Sequence, residues 1–497
     1  MTGGTSFNTA QNSVLSVLIG TAIATTVNVP FATAQIQSAP NDAGTVVHSP
    51  SPSQIEISGG TLSSDRHNLF HSFQEFGLTQ EQIATFLLNN STHADVENIL
   101  GRVVGGNASI IDGLIQVSGG EANLFLMNPA GMVFGPNAQL NISGDFTATT
   151  ATGIGFDHNW FSAVGENNYA NLVGSPSQFA FTVPDTGASP GSIINAGDLA
   201  VSPNQHLTLL GGTVINTGTL DAPGGQITVA AIPDDNLVRI SQENMLLSLE
   251  LETVQPGVGA GGETNLPNDL SMTPLDLPEL LTASAMGHAT GVTITQDGTI
   301  QLTNSNTSST VDVPIVEGLA IASNTLNTSP HPSADSNSHS QINVFGENVA
   351  LIDATLTASS PDGGGTILIG GNFQGQGPQP NAQHTFVNDG TSIEANALDT
   401  GDGGTVIVWA DQSTYFGGTV DAQGGPQSGN GGFVEISGKE FLDMQGTVDT
   451  TATNGATGTL LLDPRNISIV NPVDVTPDNP GTTVFFNDPG NPNDTII

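Results

Sequence analysis

Gly418-Thr419-Val420-Asp421-Ala422, then Gly431-Gly432, then the alternating run Val434-Glu435-Ile436, is one copy of a two-part unit that recurs along the chain. The copy before it is Thr391-Ser392-Ile393-Glu394-Ala395 with Gly403-Gly404 and Val406-Ile407-Val408. The copy after it is Gly446-Thr447-Val448-Asp449-Thr450 with Gly458 and Leu460-Leu461-Leu462. Earlier copies are Gly218-Thr219-Leu220-Asp221-Ala222 with Gly224-Gly225 and Ile227-Thr228-Val229, and Ala354-Thr355-Leu356-Thr357-Ala358 with Gly363-Gly364-Gly365 and Ile367-Leu368-Ile369. The central residues Ile393, Val420 and Val448 lie 27 and 28 positions apart. Short strands joined by glycine turns at such a period predict an all-β chain wound as a parallel β-helix, each coil stacked on the last. An antiparallel sandwich with Gly-rich hairpins is the alternative. Recurrence of the same two-part unit favours the helix.

The composition around these units fits stacking. The chain has 497 residues, 61 of them Gly, and is 37% apolar but only 10% charged. Equivalent positions of adjacent coils sit about 4.8 Å apart. Like charges repel at that distance, whereas Ser, Thr and Asn can hydrogen-bond along the row. The formal charge is −41, with only five Lys or Arg. Five bases cannot build the cationic footprint that binds nucleic acid, nor one that holds an anionic membrane surface. With no cysteine, a disulfide scaffold or thiolate metal site is impossible.

The N-terminal run Val14–Val29, with Pro30 and the small-x-small Ala32-Thr33-Ala34, reads as an export signal cleaved after Ala34. Residues 1–13 lack the usual Lys or Arg. No later stretch is apolar enough to span a membrane. Residues 54–230 read as short strands, with one short helix expected at Thr79–Leu88, where Thr79 and Gln82 fit a capping box. Residues 241–286 are Leu-rich pieces around a Gly/Pro stretch, and 303–340 are rich in Ser, Asn, Thr and Pro. Strand texture returns at 341.

Chemistry-bearing clusters are sparse. Asp421 and Asp449 occupy equivalent repeat positions, with Asp221 in an earlier unit, which is the best carboxylate row for a sugar-cleaving site. Lys439 and Arg465, the bases of the C-terminal half, group with no acids. Asp234-Asp235 follows Pro233 and reads as loop. His67 and His71 would share a face only on a helix, and Asn68-Leu69-Phe70-His71-Ser72-Phe73 reads as strand. The calcium-binding nonapeptide is absent, since Gly363-Gly364-Gly365-Thr366 lacks the following Gly and Asp. No metal or cofactor is expected.

Residues 59–157 resemble the N-terminal secretion domain of two-partner-secretion exoproteins of the filamentous-haemagglutinin type. The resemblance rests on Asn68-Leu-Phe-His-Ser-Phe-Gln-Glu-Phe76, Asn98-Ile-Leu-Gly-Arg-Val-Val-Gly-Gly106, Ala122-Asn-Leu-Phe-Leu-Met-Asn-Pro-Ala-Gly-Met-Val-Phe-Gly-Pro136 and Phe146-Thr-Ala-Thr-Thr150. Its secretion-motif residues are Asn68 and the turn Asn128-Pro129-Ala130-Gly131, similar to the family's Asn-Pro-Asn-Gly. The sequence departs at Ala130, which cannot make an Asn side-chain turn bond, while Pro129 and Gly131 keep the backbone preferences. An earlier Asn-Pro, frequent in relatives, is absent from 89–98. Gly403–Asp463 is similar to the β-helical passenger of cyanobacterial members.

The resemblance implies a right-handed β-helix capped by the secretion domain. The expected order is signal peptide 1–34, linker 35–53, secretion domain 54–240, insertion and flexible loops 241–340, helix repeats 341–470 and a low-complexity end 471–497 that reads as truncated. It also implies export through a partner outer-membrane β-barrel transporter. The expected role is that of a secreted or surface-exposed adhesin, not an enzyme, which meets a cell-surface carbohydrate or protein receptor. A β-helical carbohydrate-active enzyme, or the carrier part of a contact-dependent toxin, is the alternative.

Overall fold

The computed structural model describes residues 35–89, 92–181, 191–233, 317–330 and 340–464, together with the strands Asn236–Glu243, Leu246–Thr253, Gly291–Ile294, Ile300–Asn304, Ser309–Val313, Ile467–Ile469 and Val484–Phe486. Those residues carry no α-helix, only strands and two 3-10 turns. The main body is a right-handed parallel β-helix, built from three faces that the chain visits in constant order.

The first face stacks eleven parallel strands, from Asn68–Glu75 through Asn98–Val103, Asn123–Met127, Phe146–Thr149, Leu207–Gly211 and Gln226–Ala231 to Gln341–Phe345, Thr366–Ile369, Thr405–Ala410, Phe433–Gly438 and Thr459–Leu461. The second face runs from Ser109–Ile111 to Phe441–Met444, and the third from Gln54–Gly59 to Thr447–Asp449. Leu319–Asn327 and Asn348–Thr357 run across both of these faces. Each bends at one residue of positive φ, Asn324 (66°) and Asp353 (49°), residue types that tolerate the left-handed region.

The expected period appears as register. Ile393, Val420 and Val448 are direct partners on the third face. Strand alternation turns every second residue inward. Ile227 and Val229, Ile342 and Val344, Ile367 and Ile369, Val406 and Val408, and Val434 and Ile436 therefore form one continuous buried core. Each such side chain contributes about 1.5–3 kcal/mol by leaving water.

The glycines directly ahead of Thr405–Ala410, Phe433–Gly438 and Thr459–Leu461 are a packing requirement. A Cβ on Gly404 would stand 2.2 Å from the Gly365 carbonyl oxygen, one on Gly432 2.2 Å from that of Gly404, and one on Gly458 2.1 Å from that of Gly432. Corners of successive coils touch backbone to backbone, and only glycine leaves room.

Three expectations need correction. Residues 35–53 are not a linker. Thr45–Ser51 pairs antiparallel with Gln54–Gly59, and Gln37–Ser38 and Thr61–Leu62 pair antiparallel with the outer edge of Asn68–Glu75. This closes the first coil, covering an edge that would otherwise invite pairing. The helix expected at Thr79–Leu88 is a turn followed by the strand Ile83–Leu87. The Gln82 side chain does accept from the Thr79 amide at 2.9 Å, as in a capping box, but the Gln82 amide donates to the Thr79 carbonyl and the chain then joins the third face. Stacking overrides the local helical signal. Finally, the expected loop region 241–340 contains Leu319–Asn327, a full strand of the solenoid.

The chain leaves the solenoid between the first and second faces at three places: after Thr149, after Ala231 and after Ile369. The first two excursions supply an antiparallel sheet in the order Asn159–Ser162, Gly153–Phe156, Gln178–Phe181, Asn236–Glu243, Leu246–Thr253. It forms a second core with outward residues of the first face, where Phe70 meets Phe156, Phe161 and Tyr169 at 5.0–5.9 Å between ring centres.

Candidate functional site

Asn68 opens its strand and is fully buried. It is the first rung of an amide ladder. The Asn98 amide donates to Asn68 Oδ1 at 2.9 Å, the Asn123 amide donates to Asn98 Oδ1 at 3.0 Å, and Asn123 Oδ1 accepts from the Asp145 N–H at 2.9 Å. The three Asn are register partners on successive coils. At the free end, Asn68 Nδ2 donates to the carbonyls of Leu172 and Gly174, at 3.0 and 2.8 Å. Asn68 thus fastens the first excursion onto the first face. Each rung supplies the donor and acceptor the next needs, so burying these amides leaves no polar group stranded.

Asn128 stands at the corner after Met127, about 16 Å along the strand from the ladder at ~3.3 Å per residue. The structure therefore does not bring Asn68 and Asn128 together. Asn128 is buried. Its Nδ2 donates to the Asn107 carbonyl and to Ser109 Oγ, both at 3.0 Å, and its Oδ1 accepts from the Ala130 N–H at 3.0 Å. The Gly131 N–H donates to the Asn128 carbonyl at 3.0 Å and closes the turn around Pro129 and Ala130. Gly131 sits at φ 109°, and an added Cβ would meet the Ser192 carbonyl at 3.0 Å. Ala130 is exposed and gives the turn only its N–H. The turn's side-chain bonds come from Asn128, so Ala130 in place of Asn removes none of the contacts seen here.

A third element was not foreseen. Arg102, on the outer side of the first face, is 2% exposed. Its guanidinium donates to Asp42 of the cap, to Ser72 Oγ, to the Ser162 carbonyl and, at 2.9 Å, to the Gly165 carbonyl. It lies 5.8 Å from the Phe161 ring centre. The Tyr169 hydroxyl donates to the other Asp42 oxygen. Burial alone would raise the Asp42 carboxyl, but the bonds from Ser72, Tyr169 and Arg102 outweigh it and hold the carboxyl below its ordinary value. Burial and Asp42 raise the Tyr169 hydroxyl. One arginine thus joins cap, solenoid and outer sheet. The only sequence signal was a single basic residue inside an apolar strand.

The other candidates disperse. His67 lies at the surface, 3.7 Å from Glu97, whereas His71 points into the core beside Phe73 and Phe86. Burial and the neighbouring His93 push the His71 imidazole down to about 3. Asp421 and Asp449, placed at equivalent repeat positions by the sequence, are register partners, with Glu394 on the preceding coil, so this row stacks carboxylates. Burial and Asp449 raise the Asp421 carboxyl. Bonds from Thr451 lower that of Asp449. Asp221 lies in the same row, followed by Asn327, whose amide donates to it at 2.8 Å. Lys439 is described without an ion pair among the described residues. Asp234, Asp235 and Arg465 lie outside the described residues. Among the described residues, no three His, Asp or Glu gather where they could hold a metal ion.

Glu435 is fully buried on the outer side of the first face. It accepts from the Gln374 N–H and from Ser437 Oγ, each at 3.0 Å. Burial, with Asp463 nearby, pushes its carboxyl up from 4.5 to about 7. A raised acid binds its proton more tightly when folded. Its stabilising contribution is complete below about pH 4.5 and is lost as pH rises through about 7. Glu435→Gln is expected to unfold at a higher temperature than the parent at about pH 8 and to differ little at about pH 4. Calorimetry at both pH values checks this, and identical pH profiles would refute it.

A capped parallel β-helix with an outer antiparallel sheet, fastened through Asn68 and Arg102, is a solenoid domain. Residues 32–273 match the family model of the TPS secretion domain. The chain carries the N-terminal domain of the two-partner-secretion exoproteins. Among solved structures it is similar to the HMW1 secretion domain from Haemophilus influenzae, with 18% identity, 86% of this chain and 100% of that one covered, and a TM-score of 0.42. It is also similar to the filamentous hemagglutinin secretion domain, with 10% identity, 86% and 99% covered, and a TM-score of 0.26. No curated protein matches the chain.

Proposed function

We propose that this chain is exported by a two-partner system and acts as an adhesin outside the cell. Its N-terminal half is read by a partner outer-membrane β-barrel transporter, and its later coils present the adhesive surface. The observation that carries this reading is the match of residues 32–273 to the TPS secretion domain. Physical features support it. The chain lacks cysteine, so no disulfide can lock a loop too wide for a pore. Each coil contacts mainly its neighbours, which allows folding to spread as segments emerge. The signal peptide expected at 1–34 lies outside the described residues. Among the described residues no helix is long and apolar enough to cross a membrane.

The deciding experiment establishes whether an outer-membrane barrel is encoded beside this gene, deletes it and measures the chain in the medium. Secretion at the parental level would sink the proposal. Within the domain, Asn128→Ala strands Ser109, the Asn107 carbonyl and the Ala130 N–H. The expected loss is about 1–3 kcal/mol of stability, together with reduced export. Unchanged export and unchanged refolding would leave the motif no special role.

A further inference from the structure

Beside the amide ladder, the outer side of the first face is hollow. A cavity of ~220 Å³ lies between that face and the segment that carries Ser175, Pro176 and Phe179. Its floor includes Thr147 and Thr208, register partners that are 6% and 3% exposed. Neither hydroxyl has a hydrogen-bond partner among the described residues, although both side chains are buried. Asp145 and His206 close one end. The His206 N–H donates to Asp145 Oδ1 at 2.7 Å, but Oδ2 has no donor among the described residues. His206 Nδ1 is also buried without a partner. Glu97 stands at the same cavity, and Phe125 and Phe179 supply aromatic wall.

These groups select a ligand class. The amides of Asn98 and Asn123 are engaged in the ladder. What remains open can accept hydrogen bonds: a carboxylate oxygen, two hydroxyls, which can also donate, and, in the tautomer protonated on Nε2, the His206 Nδ1. Burial raises the Asp145 carboxyl despite His206, so its charge lacks full compensation. An anion would face Asp145 and Glu97, in a chain with 46 acids and five bases. The volume is smaller than the ~300–1,000 Å³ of sites that enclose whole organic ligands, and it suits the end of one side chain. Cations are also favoured beside aromatic rings.

We infer that this cavity takes the guanidinium or ammonium end of an arginine or lysine side chain presented by a basic partner segment. The inference goes beyond export and adhesion, because it names a cation-reading pocket whichever partner the domain meets.

The test titrates the full chain by calorimetry with the peptide acetyl-Ser-Arg-Ser-amide. Its citrulline counterpart has the same shape without the charge, and agmatine is the free small cation. The arginine peptide is expected to bind saturably and to weaken with added salt. The citrulline peptide should bind at least about tenfold more weakly. Asp145→Asn, which keeps the acceptor for the His206 N–H, should cost a similar factor without lowering the unfolding midpoint, and Thr208→Val should weaken binding as a second, uncharged change. Equal binding of the citrulline peptide, indifference to Asp145→Asn, or no saturable binding of the arginine peptide would each overturn the assignment. Binding of agmatine alone would overturn the partner segment as its source.

Discussion

Arg102→Ala is expected to cost the N-terminal coils about 3–5 kcal/mol, the range for removing one partner of a buried ion pair. The loss is large because the alanine leaves Asp42 charged without its counter-ion, and strands Ser72 and the carbonyls of Ser162 and Gly165. The two tryptophans separate the consequences. Trp160 sits in the outer sheet and Trp409 in a later first-face strand. Denaturation followed in single-tryptophan variants should show the Trp160 transition moving to lower denaturant while that of Trp409 stays. Arg102→Met with Asp42→Leu should recover part of the loss, since it removes both charges. A loss below about 1 kcal/mol for Arg102→Ala would mean that solvent reaches the pair and screens it.

Gly404→Ala is the second large effect. The added methyl would meet backbone: the Gly365 carbonyl oxygen at 2.2 Å and the Gly364 carbonyl carbon at 2.8 Å. No flexible side-chain end can yield. The cost should reach or exceed the ~1–3 kcal/mol typical of overpacking, and it should fall on the coils around Trp409 and leave Trp160 nearly unchanged. Gly101→Ala is the control. Its Cβ would stand 3.2 Å from a Phe73 ring carbon and 3.5 Å from a Leu126 methyl, both side-chain atoms. If both alanines cost the same, close backbone stacking is not what the paired glycines serve.

How much of this was legible depends on the distance over which each feature is decided. Ile393, Val420 and Val448 could be matched because a solenoid turns sequence period into spatial register. Gly403-Gly404 and Gly431-Gly432 could be read as corners for the same reason. The cap strand Thr45–Ser51 could not be read that way, since its Thr-Val-Val-His-Ser pattern covers an edge and leaves most of its residues exposed. Thr79–Leu88 misled because its local signals are truly helical, yet Ile83–Leu87 gains more from two neighbouring strands. Of the candidate site, Asn68 and Asn128 were legible through the family resemblance. The hydrogen bonds of Arg102 to Asp42 and Ser162 each join residues 60 apart, and no local pattern encodes such a partner.

The excursions after Thr149, Ala231 and Ile369 all leave from the same corner of the coil. Placing these three additions along one seam keeps what the scaffold carries apart from the stacking that builds it. The coils keep their spacing however much sequence is inserted at that seam, which gathers the outer sheet and the Arg102 junction. New recognition surfaces can therefore be acquired or lost there without changing the rise of the coil, so that the scaffold and whatever it displays are free to diverge at different rates.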